Sequence, residues 1–349
     1  MKVRKIMSLC LAAAVIVGMV ACGSTENDST AQGGNNTQTE VQAENVTLKI
    51  GQANFAAHGT KAFAVVTSVV KDGEIVLAYI DEFQYMSADT TTGVPNSEGM
   101  AENIIEDKVL GSKRENNETY SKNMAEKAGS TVEIATNFDA IEDFVKGKKI
   151  SELEELVGKT AEEVVDAVTG ATLADTTGYI QAILEAAKVA ESTTGVEFDG
   201  NVEDLTLSQS YAAAHGTKSF AITSVLTNKD EVVLAYIDEL QYMAADTTIG
   251  VANSDADLAE NYVEGKMLGS KRDNTESYSR NMTEKAGSTV TIDANFDAIQ
   301  EFVQGKKISE LEEITGKTAE EVIDAVSGCT LADTTGYITA VIEAAKAAK

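Results

Sequence analysis

Two long segments of this chain match almost residue for residue, and that constrains its fold more than any other feature. HGTKAFA at 58–64 returns as HGTKSFA at 215–221, and VLAYIDEFQYMSADTT at 76–91 returns as VLAYIDELQYMAADTT at 233–248. GKTAEEVVDAVTGATLADTTGYI at 158–180 returns as GKTAEEVIDAVSGCTLADTTGYI at 316–338. The offset grows from 157 residues at the histidines to 158 at the last match, which places a one-residue insertion near Asp255. Each unit, 46–190 and 205–349, spans about 145 residues, enough to enclose a core of its own. The two are therefore expected to fold independently, with the polar, acidic stretch 191–204 as a linker.

Within a repeat the periodicity is mixed. Ile75, Leu77, Tyr79, Asp81, Phe83 and Tyr85 alternate with Val76, Ala78, Ile80, Glu82, Gln84 and Met86, the period of a strand. Residues 61–70 also read as a strand, with Lys71-Asp72-Gly73-Glu74 as the hairpin turn between them. A helix is expected from about Tyr120 to a stop at Gly129, then a short strand at 130–136, then a helix carrying Phe138, Ile141 and Phe144 as far as Gly147. Ser151…Glu154 and Thr160…Glu163 fit the capping-box pattern. The helix 161–168 should stop at Gly170, a natural left-handed cap. A further helix should open near Asp175 to Thr177 and bury Ile180, Ile183, Leu184 and Ala187 on one face. The fold class is α+β, each repeat a small antiparallel sheet with helices.

The junction between the last two helices carries the most specific pattern. It reads Asp166-Ala167-Val168-Thr169-Gly170-Ala171-Thr172 in the first repeat and Asp324-Ala325-Val326-Ser327-Gly328-Cys329-Thr330 in the second. This resembles the D-x-x-[S/T]-G-A-T motif of the FMN-binding domain family. That family includes a subunit of the sodium-pumping quinone reductase, the related Rnf subunit, and Gram-positive lipoproteins of extracellular electron transfer. The likeness extends through the IDEFQYM strand and the YSKNM segment and covers essentially the whole chain after its leader. It implies two tandem FMN-binding-type domains, with one FMN per repeat esterified through its phosphate to Thr172 and Thr330 by a separate flavin transferase. Asp166, Thr169, Gly170 and Ala171, and Asp324, Ser327, Gly328 and Cys329, would then complete the two cofactor sites.

Elementary chemistry is compatible with that implication. A loop that opens a helix offers free N–H groups and the positive end of the helix dipole to a phosphate. A threonine hydroxyl is a weak nucleophile unless activated, which suits modification by a dedicated enzyme. Two departures stand out. Ala174 and Ala332 occupy positions where many family members carry a second hydroxyl, and Cys329 replaces alanine in the second repeat.

The N-terminus reads as a processing signal. Lys2, Arg4 and Lys5 precede an apolar run from Ile6 to Ala21. Met19-Val20-Ala21-Cys22 resembles a bacterial lipobox, which implies a leader 1–22 and a lipid-bearing Cys22 at the outer face of the cell membrane. The polar, low-complexity stretch 23–45 is expected to be a disordered tether. With Cys10 in the leader and Cys22 on lipid, Cys329 alone remains, so no intrachain disulfide is expected. Asp and Glu number 56 against 28 Lys and Arg, a formal charge of −28 that argues against nucleic acid as a partner.

Other patterns are weaker. Gly158-Lys159-Thr160 and Gly316-Lys317-Thr318 mimic the end of a P-loop, but Leu153 and Leu311 stand where its first glycine belongs, and a helix precedes in place of a strand. His58 and His215 are the only histidines, one per repeat, and no nearby Cys or His makes them a metal pair, so a hydrogen-bonding role is expected. Asp81-Glu82 and Asp238-Glu239 are adjacent on a strand and so face opposite ways. Tyr79, Phe83 and Tyr85 share one face, as core or as a platform for a flavin ring. The expectation is a redox carrier, not a stand-alone enzyme, taking electrons from a membrane dehydrogenase or quinone-linked donor. The alternative is a surface binding or adhesion lipoprotein whose repeats lack flavin.

Overall fold

A computed structural model of the chain describes residues 45–347. The expected leader 1–22 with Cys22, and the tether 23–45 except Asn45, lie outside the described residues. The first repeat forms strands β1 (Val46–Phe55), β2 (Ala62–Lys71) and β3 (Glu74–Ser87), a helical turn α1 (Ser97–Met100) and strand β4 (Lys108–Ser112). Five helices follow: α2 (Asn117–Ala128), α3 (Ile134–Val145), α4 (Ile150–Val157), α5 (Ala161–Ala167) and α6 (Thr176–Ser192). After β5 (Val196–Phe198), the second repeat runs β6 (Leu205–Ala212), β7 (Ser219–Asn228), β8 (Glu231–Ala244) and β9 (Lys266–Ser270). Its helices are α7 (Thr275–Ala286), α8 (Ile292–Val303), α9 (Ile308–Thr315), α10 (Ala319–Ala325) and α11 (Thr334–Ala347). Where the first repeat has α1 followed by a 3-10 turn, Ala101–Asn103, the second, with its inserted residue near Asp255, has a 3-10 segment, Asp257–Asn261.

The chain is α+β, with two antiparallel sheets in the orders β4-β3-β2-β1-β5 and β6-β7-β8-β9. The hairpin between β2 and β3 turns at Asp72 and Gly73, whose φ of 50° and 74° give the left-handed pair that suits strand twist. One face of the first sheet, with Ala64, Val66, Ala78 and Ile80, is covered by Phe138 and Ile141 of α3 and by Ile183 and Ala187 of α6. The same arrangement recurs with Ala221, Ile237, Phe296, Ile299 and Val341. No helix among the described residues is long and apolar enough to cross a membrane.

The other face of each sheet meets the other repeat. Phe63, Val65, Phe83 and Tyr85 share one core with Phe220, Ile222, Leu240 and Tyr242. Equivalent residues meet across this seam: Tyr85 OH lies 2.5 Å from Tyr242 OH, and Thr67 Oγ1 lies 2.7 Å from Ser224 Oγ. A residue that touches its own counterpart marks a local two-fold relation. Tyr211 donates across the seam to Asp81, and Asn54 donates to Asp273 at 2.8 Å. The repeats thus belong to one compact unit, and the shared core gives a physical reason for them to unfold together.

Four local features differ from the sequence expectation. The stretch 130–136 is not a strand: the chain bends there and α3 begins at Ile134. Ser151 lies inside α4, and Glu152 accepts the N–H of Lys149 at 2.8 Å, so the cap sits two residues earlier than expected. Part of the expected linker is β5, paired antiparallel with Val46–Leu48. Strands β1 and β4 had no clear sequence signal.

Candidate functional site

The motif junction is set by helix ends. Thr160 Oγ1 accepts the N–H of Glu163 at 3.3 Å and Glu163 accepts the N–H of Thr160 at 3.0 Å, which starts α5 as a reciprocal cap. The helix ends at Val168, and Gly170 turns the chain with φ +96°. A Cβ there would be strained and would lie 3.3 Å from Ala140 Cβ, so glycine brings the loop close to α3. Ala171 is buried and Thr172 is exposed at the start of the segment that leads into α6.

Thr172 is gripped from behind by a residue that sequence reasoning missed. Asn137, fully buried on α3, directs its Nδ2 to the carbonyls of Val132 and Glu133 at 3.3 and 2.9 Å. That fixes its amide, and Oδ1 accepts the Thr172 N–H at 2.7 Å and the Thr172 hydroxyl at 3.3 Å. Asn295 repeats the pattern on Thr330 at the same 2.7 and 3.3 Å. Cys329 is buried like Ala171 and places its Sγ 3.1 Å from Thr334 Oγ1, so the substitution leaves the hold on Thr330 unchanged.

Each threonine opens onto a cleft. The first, of about 830 Å³, is lined by Thr172, Leu173 and Asp175, by Tyr120 and Met124 of α2, and by Lys113 and Tyr179. The second, of about 480 Å³, is lined by the counterparts Thr330, Leu331, Asp333, Tyr278, Met282, Lys271 and Tyr337. Both volumes fall within the roughly 300–1,000 Å³ typical of small-molecule sites. Asp166, Thr169 and Gly170, with Asp324, Ser327 and Gly328, are exposed and lie outside the cleft linings; Ala171 and Cys329 face the core. Of each motif, the structure brings only the threonine to the cleft.

The inner wall is a buried ion pair. Lys113 and Glu82, 1% and 0% exposed, are in contact, and Tyr179 OH donates to the same carboxylate oxygen at 2.9 Å. Burial opposes the charge of Lys113, but Glu82 and Tyr120 outweigh it and hold its pKa above the ordinary value. Burial, then Glu82, pushes Tyr179 well above the usual phenol range. Lys271, Glu239 and Tyr337 form the same triad in the second repeat. Glu82 and Asp81 do face opposite ways: Asp81 lies at the seam, where Tyr211 and Ser112 donate to it.

At the mouth of each cleft a histidine meets an aspartate. His58 Nδ1 lies 2.7 Å from Asp175 Oδ2, and His215 Nδ1 lies 2.7 Å from Asp333 Oδ2. Gly178 makes the first pair possible: a Cβ there would fall 2.1 Å from the carbonyl oxygen of Ala57, so glycine lets α6 press against the histidine turn. The other repeat holds each turn from outside. Asn253 donates to the carbonyls of Gly59 and Ala62 at 2.9 and 2.6 Å, and Asn96 to those of Gly216 and Ser219 at 3.0 and 2.7 Å.

No family model, curated protein or solved structure matches this chain. The site is therefore read from its own chemistry. Among the described residues no group of three or more His, Cys, Asp or Glu side chains is placed to hold a metal ion. What the clefts offer is an exposed hydroxyl at the rim, aromatic and thioether side chains on the walls, and a paired cation at the back. Phe83 belongs to the inter-repeat core and Tyr79 lies against Arg114, both outside the cleft linings, whereas Tyr85 is shared between that core and the first cleft, so the aromatic candidates within the clefts are Tyr85, Tyr120, Tyr179, Tyr278 and Tyr337.

Proposed function

We propose that each cleft holds an FMN joined by a phosphoester to Thr172 or Thr330, and that the chain is an electron carrier tethered outside the cell membrane through Cys22. The observation that carries this reading is the double coincidence of motif and cleft. Two threonines singled out by sequence alone both stand at the rim of a ligand-sized cleft, each fixed by a buried asparagine. The residues fit the group. Tyr120, Met124, Ile134 and Leu173 offer apolar surface for a planar ring system, and α6 begins beside Thr172, where a phosphate is favoured. Bound there, FMN would supply the redox chemistry, and the protein its attachment, orientation and local field. Attachment keeps the cofactor from being lost outside the cell.

A flavin transferase is the partner this requires, and the exposed Asp166, Thr169 and Gly170 leave the motif open to such an enzyme. The electron donor is a membrane dehydrogenase or a quinone-linked protein. The test is flavin absorbance in protein coexpressed with a flavin transferase, read before and after denaturation and removal of small molecules. Flavin colour that stays with the unfolded chain, and is lost in the Thr172→Val, Thr330→Val double variant, supports the reading. A colourless wild-type protein would replace it with the surface binding or adhesion lipoprotein.

A further inference from the structure

We propose that His58 and His215 hold the phosphoester of the flavin nucleotide, each donating from Nε2 to a phosphate oxygen while Nδ1 stays on its aspartate. This rests on the function proposed above and names the residues that recognise its phosphate. The chain has only two histidines. Both stand at a cleft mouth, both are half-exposed, and both bind an aspartate through Nδ1 at 2.7 Å. That aspartate follows the candidate threonine by three residues in each repeat.

Asp175 occupies the N-cap position of the 17-residue helix α6, yet makes no side-chain capping bond. An aspartate there ordinarily accepts an N–H of the first turn. Here its carboxylate is turned to His58 instead. A carboxylate only accepts, so Nδ1 carries a proton and the aspartate sets the orientation of the ring. Nε2 is left for a ligand. A histidine that only stabilised the turn would not need its carboxylate drawn from the cap of α6.

The second cleft narrows the choice of phosphate partner. Its basic lining residues are Lys271 and His215. Lys271 is 1% exposed and engaged by Glu239, which leaves His215. With Nδ1 on Asp333 and Nε2 on a phosphodiester, both ring nitrogens donate, so the ring is an imidazolium between two anions. Charge-assisted bonds of that kind are the stronger class.

The experiment is 31P NMR of the full chain coexpressed with a flavin transferase. Two protein-bound phosphodiester resonances are expected, assigned by the loss of one in Thr172→Ala and of the other in Thr330→Ala. His58→Ala should move only the resonance of Thr172, and His215→Ala only that of Thr330. The unmoved resonance reports, in the same molecule, that the fold is intact. His58→Gln keeps a neutral donor near the position of Nε2 and should give an intermediate shift. Two resonances that stay in place in both alanine variants overturn the proposal while leaving the covalent flavins standing. A shift of both resonances in either single variant also overturns it, because the effect is then not local. Absence of any protein-bound phosphorus signal in the wild type removes the flavin reading, and this assignment with it.

Discussion

In the first repeat Glu82 Oε1 is buried without a hydrogen-bond partner; in the second, Ser219 donates to the matching Glu239 Oε1 at 2.8 Å. The difference is one side chain, Ala62 against Ser219. A second difference lies behind the clefts, where Arg114 pairs with Glu142 and Arg272 bonds the amide of Gln300. The cleft walls vary less: histidine, aspartate, threonine, lysine and two tyrosines recur in both. The walls of the two sites thus share one chemistry, while some of the residues behind them differ. The supports are also shared, since each repeat braces the other's histidine turn through Asn96 or Asn253.

Separating the repeats should have the largest effect. A fragment covering 205–349 loses the common core, the brace from Asn96 and the Tyr85–Tyr242 contact. It should unfold at far lower denaturant than the full chain, by several kcal/mol, since each exposed core side chain is worth roughly 1.5–3 kcal/mol. A fragment with the full chain's midpoint would show that the seam contributes nothing.

Removing the asparagine behind one threonine sharpens the comparison between sites. Asn137→Ala should cut flavin labelling of Thr172 at least tenfold and leave Thr330 as it was, with Asn295→Ala giving the converse. Site-resolved peptide mass spectrometry reads both in one sample. The stability loss should be roughly 1–3 kcal/mol, the usual effect of unpairing buried polar groups. Equal labelling at both sites would show that the asparagine does not position the hydroxyl.

The seam should also make stability depend on pH. Burial raises Asp238, which lines a small cavity at the seam with Gln52, Asn54 and Val65 of the first repeat, to about 6, partly offset by the hydrogen bond from Ser270. Its folded pKa then exceeds the unfolded value near 4, so the folded state holds the proton more tightly. Stability from this group is fully present below pH ~4, falls as pH rises to ~6, and is flat beyond. Asp238→Asn should remove on the order of 2 kcal/mol of that slope, measured by urea titration across the window. An unchanged slope would assign the pH dependence elsewhere.

The smallest effect should come from Ala62→Ser. It supplies the partner that Glu82 lacks and should stabilise the first repeat by about 1 kcal/mol, the net worth of one hydrogen bond. No gain in melting temperature would mean that Glu82 Oε1 is already satisfied, for instance by water.

The sequence made some of this legible and hid the rest for physical reasons. The alternation of 75–86 and the Asp72-Gly73 turn are local signals, and the β2–β3 hairpin follows them. Gly129 and Gly170 mark chain reversals through their left-handed backbone, as their positions implied. The pairing partner of a face is not local. Phe83 and Tyr85 read as core, but nothing along the strand says that the core belongs to two repeats. Strand β2 is buried along nearly its whole length for the same reason, with helices on one face and the other repeat on the second. At the site, Thr172 and Thr330 stood out through a spaced pattern, whereas Asn137, Lys113 and Tyr120 act through a three-dimensional meeting of α2, α3 and β4. Their recurrence in the second repeat gave no contrast, because so many other positions recur as well.

The most direct test of the central claim is the intact mass of the full chain made with and without an active flavin transferase. The account predicts two added FMN masses with the enzyme and none without it, one in Thr172→Val and one in Thr330→Val. A wild-type chain that gains no mass, while a known acceptor in the same cells is labelled, would contradict it.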